Sequence, residues 1–142
     1  MLYLTRRETF NAAHKLHRAD WSDEQNEAVF GKCSNRNWHG HNYQLFVTVA
    51  GQPDPTTGFV MDAKLLSTIV KREIVDQVDH RNFNLDVPWV PAGLQPTTEN
   101  LLVLFWQRIE APINEHGARL YSIRLHETEN IYAEYFGPNG RP

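Results

Sequence analysis

Tyr43, Leu45, Val47 and Val49 alternate with Asn42, Gln44 and Thr48, the period of two expected of a strand with one buried face. Tyr3 to Ala13, rich in Thr, Phe and Tyr, reads as an earlier strand. A long excursion separates the two, and within it Ser22-Asp23-Glu24-Gln25 has the form of a capping box, which predicts a short helix through Phe30. Pro53 and Pro55 mark a turn from Gly51 to Gly58, after which Phe59-Val60-Met61 is extended again. Past Asp62 the period changes. Leu65, Leu66, Ile69, Val70 and Ile74 recur every three or four positions, so this segment is a helix that buries one face against a sheet. A proline-rich loop runs from Asp79 to Pro96. The next helix starts at Thr97 or Thr98, carries Glu99 in its first turn, continues through Leu101, Leu102, Leu104, Phe105 and Ile109, and should end before Pro112. Two closing strands follow, Arg119 to Thr128, with Tyr121, Ile123 and Leu125 on one face, and Ile131 to Phe136.

The order strand, strand, helix, helix, strand, strand, with hairpins at both ends, defines an α+β fold: a four-stranded antiparallel sheet with two helices on one face. A chain of 142 residues suits one domain spanning 1–142. Phe46, Leu120, Tyr132 and Phe136 fall on the opposite faces of their strands, so the back of the sheet is partly apolar and its edges are open, which predicts a homo-oligomer. Charge narrows the partners. Fourteen basic residues are offset by 17 acidic ones without a basic cluster, so no nucleic-acid partner is expected. No apolar run is long enough for a membrane span, and no secretory leader is evident. A cytoplasmic location is therefore expected. The single cysteine, Cys33, cannot form an internal disulfide and is free to react.

The candidate chemistry lies where the first hairpin closes. In a strand, residues two apart share a face, so His39 and His41 project side by side across Gly40. If the first two strands pair antiparallel, His14 at the end of the first lies beside them, and residues 15–38 loop out and return. Three imidazoles with an open fourth position are the arrangement of a catalytic zinc site, and zinc is the default metal, with nickel, iron and copper as alternatives for the same donors. Cys33, six residues before His39, would as a fourth ligand make the site structural instead; spacing alone leaves both arrangements open.

Phe10-Asn11-Ala12-Ala13-His14, Phe30-Gly31-Lys32-Cys33-Ser34-Asn35 and His39-Gly40-His41-Asn42-Tyr43 resemble the 6-pyruvoyltetrahydropterin synthase family. The similarity continues in Gly58 to Asp62, Val78 to Asn82, Pro96 to Asn100 and His126 to Asn130. It implies the tunnelling fold, in which such units form barrel-like trimers that stack as a hexamer. It also implies a lyase acting on a small-molecule pterin triphosphate, 7,8-dihydroneopterin triphosphate. Transferred to this chain, His14, His39 and His41 would hold zinc, and Cys33 would be the general base. Asp79 and His80 would complete a proton-relaying triad. Glu127 would bind the pterin ring, with Thr98 and Glu99 as a second part of that pocket. The related 6-carboxytetrahydropterin synthases use the same groups and substrate but also release acetaldehyde, and usually have three residues between cysteine and HGH. Here five intervene, Ser34 through Trp38, as in the pyruvoyl-forming class. A noncatalytic zinc-stabilised module is a further alternative. The family often has a small residue where Trp38 stands.

Overall fold

The structure, a computed structural model, describes residues 1–141. Strands β1 (Leu2–His14) and β2 (His39–Gly51) pair antiparallel along their full lengths, with Leu2 opposite Gly51 and His14 opposite His39. Strand β4 (Arg119–His126) pairs with β2, and β5 (Tyr132–Tyr135) with β4. Between the two hairpins lie α2 (Ala63–Val70), a π-helical stretch (Lys71–Val75), α3 (Asp76–Val78) and α4 (Thr98–Asn114). Leu45, Val47 and Val49 of β2 meet Leu66 and Ile69 of α2 and Leu101, Phe105 and Ile109 of α4 in one apolar cluster. The side-chain periods of two and 3.6 thus face each other across a single core.

Four expectations need correction. The sheet has five strands and is mixed, in the order β3-β1-β2-β4-β5. The added strand, β3 (Arg81–Asn82), runs parallel to β1. With only two residues it has no readable period; it is held by the N–H groups of His80 and Phe83 donating to the carbonyls of Asn11 (2.6 Å) and Ala13 (2.9 Å). Second, the register of β4 shifts between Thr48 and Val49, so Leu120 lies opposite Val49 and Ser122 opposite Thr48, with Tyr121 as the extra residue. A bulge of this kind breaks strict alternation. Leu120 therefore joins the core at 4% exposure, while Tyr121 packs beside the rings of Tyr3 (4.5 Å) and Phe136 (5.9 Å). Third, Val60 and Met61 form a bend rather than continuing an extended segment from Phe59.

Fourth, α4 continues through Pro112 to Asn114. Proline removes the N–H that would bond to the Arg108 carbonyl, yet Ile109 and Ile113, both fully buried, reward the extra turn with apolar burial. Pro112→Ala is expected to raise the unfolding free energy by about 1–2 kcal/mol, read from denaturant melts. The π-helical stretch is stabilised similarly, by side chains that reach its loosened carbonyls. Arg108 donates to the Glu73 carbonyl (2.6 Å) and Gln77 to that of Arg72 (2.9 Å).

The short helix α1 (Asp23–Phe30) begins with Ser22 accepting from the Gln25 N–H and ends at Gly31, whose φ of 55° starts a 3-10 turn (Gly31–Ser34). This excursion is tied down by buried Asn26, which accepts from the Arg18 N–H (2.8 Å) and donates to the Arg18 carbonyl (3.0 Å). Cys33 is thereby brought back to the end of β1: Leu16 N–H donates to the Cys33 carbonyl at 2.9 Å. No helix among the described residues is long and apolar enough to cross a membrane.

Candidate active site

The hairpin register puts His14 and His39 directly opposite each other, with His41 two residues further along the same face. Their side chains converge. His14 Nε2 lies 3.0 Å from His39 Nε2 and 3.2 Å from His41 Nε2. On the other side of the ring, His14 Nδ1 is 2.8 Å from the Pro96 carbonyl. An N–H is needed there, so the neutral ring leaves Nε2 as a bare lone pair. Burial pushes the pKa of His14 below its ordinary value, and burial does the same at His41. Both rings are thus held in the form that binds metals.

Glu127 Oε1 stands 3.3 Å from the same His14 Nε2 and 3.6 Å from His41 Nε2. A carboxylate oxygen facing an unprotonated nitrogen is repulsive unless a cation lies between or beside them. Moreover, ligands bound to zinc at about 2.0–2.1 Å in a tetrahedron stand about 3.3–3.4 Å apart, close to the separations from His14. His14, His39 and His41 form the set of side chains competent to hold a metal ion. Cys33 is not in that set.

Of the four buried side-chain polar atoms without a partner among the described residues, three are in this neighbourhood: Trp38 Nε1, His39 Nδ1 and the Tyr43 hydroxyl. Folded proteins leave few such atoms, and a cluster of them marks a place where ligand or water completes the bonding. Tyr43 follows His41 on the same face, and its ring centroid lies 5.6 Å from that of His41. Burial, reinforced by the charges of Glu127 and Cys33, pushes its phenol far above the ordinary value. Neither Tyr43 nor the Pro96 carbonyl was expected at the site, although Tyr43 closes the His39-Gly40-His41-Asn42-Tyr43 segment and Pro96 opens Pro96 to Asn100. Trp38 adopts φ 60°, a left-handed conformation unfavourable for a bulky side chain.

The remaining candidates divide. Cys33 is half-buried and free. Thr98 is buried in the first turn of α4, behind a cap in which Thr97 Oγ1 accepts from the Asn100 N–H (3.2 Å); Glu99 is exposed. Pro96, two residues before Thr98, links this turn to His14. Asp79 and His80 form a separate pair beside β3, with His80 Nδ1 3.0 Å from Asp79 Oδ1. The Asn11 N–H donates to Asp79 (2.9 Å), and that bond, more than His80, holds the carboxyl below the usual carboxylate range. His80, at φ 59° and 77% side-chain exposure, projects outward.

A hairpin end carrying three convergent imidazoles competent to hold a metal ion, a carboxylate and a free thiol nearby is the site of an enzyme of the α+β class. Residues 3–138 match the family described as 6-pyruvoyl tetrahydropterin synthase. The human 6-pyruvoyl tetrahydrobiopterin synthase is 40% identical over 136 residues, covering 94% of this chain and 90% of the relative. That of Poecilia reticulata is 42% identical over 135 residues, covering 95% and 90%. The solved Caenorhabditis elegans 6-pyruvoyl tetrahydropterin synthase superposes with a TM-score of 0.85 at 34% identity, covering 96% of this chain and 95% of that one. The chain belongs to the 6-pyruvoyl tetrahydropterin synthase family, and its enzyme class is a lyase of that type. A 6-carboxy-5,6,7,8-tetrahydropterin synthase from Haemophilus influenzae is 26% identical over 156 residues, covering 95% of this chain and 99% of that protein.

Proposed function

We propose that this protein converts 7,8-dihydroneopterin triphosphate to 6-pyruvoyl-tetrahydropterin and inorganic triphosphate, using zinc held by His14, His39 and His41. The observation that carries the reading is the convergence of three imidazole nitrogens beside Glu127, at the point where Cys33 returns to β1. The conversion is an internal redox reaction: the pterin ring is reduced as the side-chain hydroxyl carbons become carbonyls, and triphosphate leaves. When bound, zinc supplies Lewis acidity toward the side-chain hydroxyls.

Cys33, as thiolate, removes the carbon-bound protons of the side chain, since a nearby cation favours the charged sulfur. Glu127 orients the ring by accepting two parallel hydrogen bonds from the 2-amino group and the neighbouring ring nitrogen. Thr98 and Glu99, at the turn joined to His14 through Pro96, complete the ring pocket. Asp79 accepts the Nδ1–H of His80, leaving Nε2 to pass protons. The outward projection of His80 suits service to Cys33 of a neighbouring subunit in a homohexamer, built as a dimer of trimers. We place the enzyme in the cytoplasm.

Product analysis tests the reading. Incubation with 7,8-dihydroneopterin triphosphate is expected to yield the pyruvoyl product with triphosphate and no acetaldehyde; stoichiometric acetaldehyde would reassign the chain to the 6-carboxy class.

A further inference from the structure

A cleft opens along the return arm that carries Cys33, with a cavity volume of about 570 Å³. Lys15 and His17, just past His14, line it together with Lys32 and Arg36 from the return arm, while Asp23 and Glu27 of α1 form part of its wall. Its place in the chain ties it to the chemistry. Lys32 is next to Cys33, Lys15 is next to His14, and the Leu16–Cys33 backbone bond joins the two segments. The cleft is therefore built on the same two segments that carry His14 and Cys33, although neither of those side chains lines it.

Its cations are unspent. Arg18, close by in sequence, is neutralised by Asp20 at 2.8 Å, whereas no carboxylate among the described residues lies within 4.0 Å of Lys15, Lys32 or Arg36. Lys15 instead rests over the Trp38 ring, 5.1 Å from its centroid, which holds its ammonium group at the junction of cleft and hairpin end. Two lysines supply mobile point charges and one arginine a planar fork, a combination suited to phosphoryl oxygens. The carboxylates of Asp23 and Glu27 in the same wall oppose an anion, so binding depends on the three cations together.

We propose that this cleft is the polyphosphate subsite of the enzyme, in which Lys15, Lys32 and Arg36 hold the triphosphate end of the substrate and, after elimination, the inorganic triphosphate product. The assignment rests on the proposed reaction for its ligand, but the two fail separately. Inorganic triphosphate titrated calorimetrically into the zinc-loaded protein should bind, and binding should weaken as salt is raised. Lys32→Ala and Arg36→Ala should each weaken it about tenfold, as loss of one charge-assisted hydrogen bond implies, and raise KM more than they lower kcat. Arg18→Gln, which alters a cation already paired, should leave triphosphate affinity unchanged. Zinc content and melting temperature of each variant exclude misfolding. If the wild type turns over the pterin triphosphate while Lys32→Ala and Arg36→Ala bind triphosphate as well as it does, the subsite is overturned. If the wild type does not turn the substrate over, yet triphosphate binds and both variants weaken it, the subsite stands and the reaction is overturned.

Discussion

Cys33→Ala is expected to lower kcat by about 10²–10⁴-fold, the contribution typical of a positioned general base, while zinc content stays at the wild-type level. The two halves come from separate observations. The thiol is free and half-buried, and the metal-competent set consists of His14, His39 and His41 without it. Because Cys33 lies on a short 3-10 turn outside the apolar cluster, unfolding stability should change by no more than about 1 kcal/mol. Metal analysis and single-turnover kinetics on the same preparation check both halves. Loss of zinc from Cys33→Ala would make the thiol a fourth ligand and the site structural, and the lyase reading would lose its base.

The site was readable in the sequence to the extent that it depends on strand periodicity. His39 and His41 are two apart, and an antiparallel partner strand ending in a histidine needs only one register to bring His14 to them. That register spans thirteen pairs, with Phe10 opposite Tyr43 and Glu8 opposite Leu45, and sliding it by one residue would turn apolar side chains out of the core. Long-range burial thus fixes a local metal geometry. Glu127 was legible for a related reason: it continues the face of Ile123 and Leu125. Its approach to His14 and His41 was not, since that depends on how β4 crosses β2.

What escaped the sequence escaped for definable causes. The bulge at Tyr121 uses no glycine to announce itself, and an aromatic residue on either face looks equally plausible. β3 consists of two residues whose pairing is dictated by β1, not by their own pattern. The extension of α4 past Pro112 depends on two buried isoleucines overriding a local rule. Trp38 offered only its size as a clue; its left-handed backbone and orphaned indole N–H emerge only when the return arm must close onto the hairpin. The charge balance of −3 also concealed the cleft, because net charge averages away three unpaired cations that folding gathers from positions 15, 32 and 36.

His14→Ala is expected to be more damaging than His41→Ala, although both remove one imidazole of the same set. Each should lose zinc and, with it, turnover. The difference lies in the metal-free protein. His14 is 1% exposed and connects the sheet to the segment before α4 through the Pro96 carbonyl. Truncating it leaves a buried carbonyl without its donor and a void among Tyr43 and the neighbouring rings, together about 2–4 kcal/mol of lost stability. His41 is half-buried and lacks an equivalent tie to the helix layer, so its truncation in chelator should cost about 1 kcal/mol or less. Denaturant unfolding with excess chelator isolates this term from metal binding, and elemental analysis without chelator measures the metal loss. Equal destabilisation of the two variants in chelator would show that the Pro96 contact does not anchor the site to α4. Retention of full zinc occupancy by either would break the three-imidazole assignment itself.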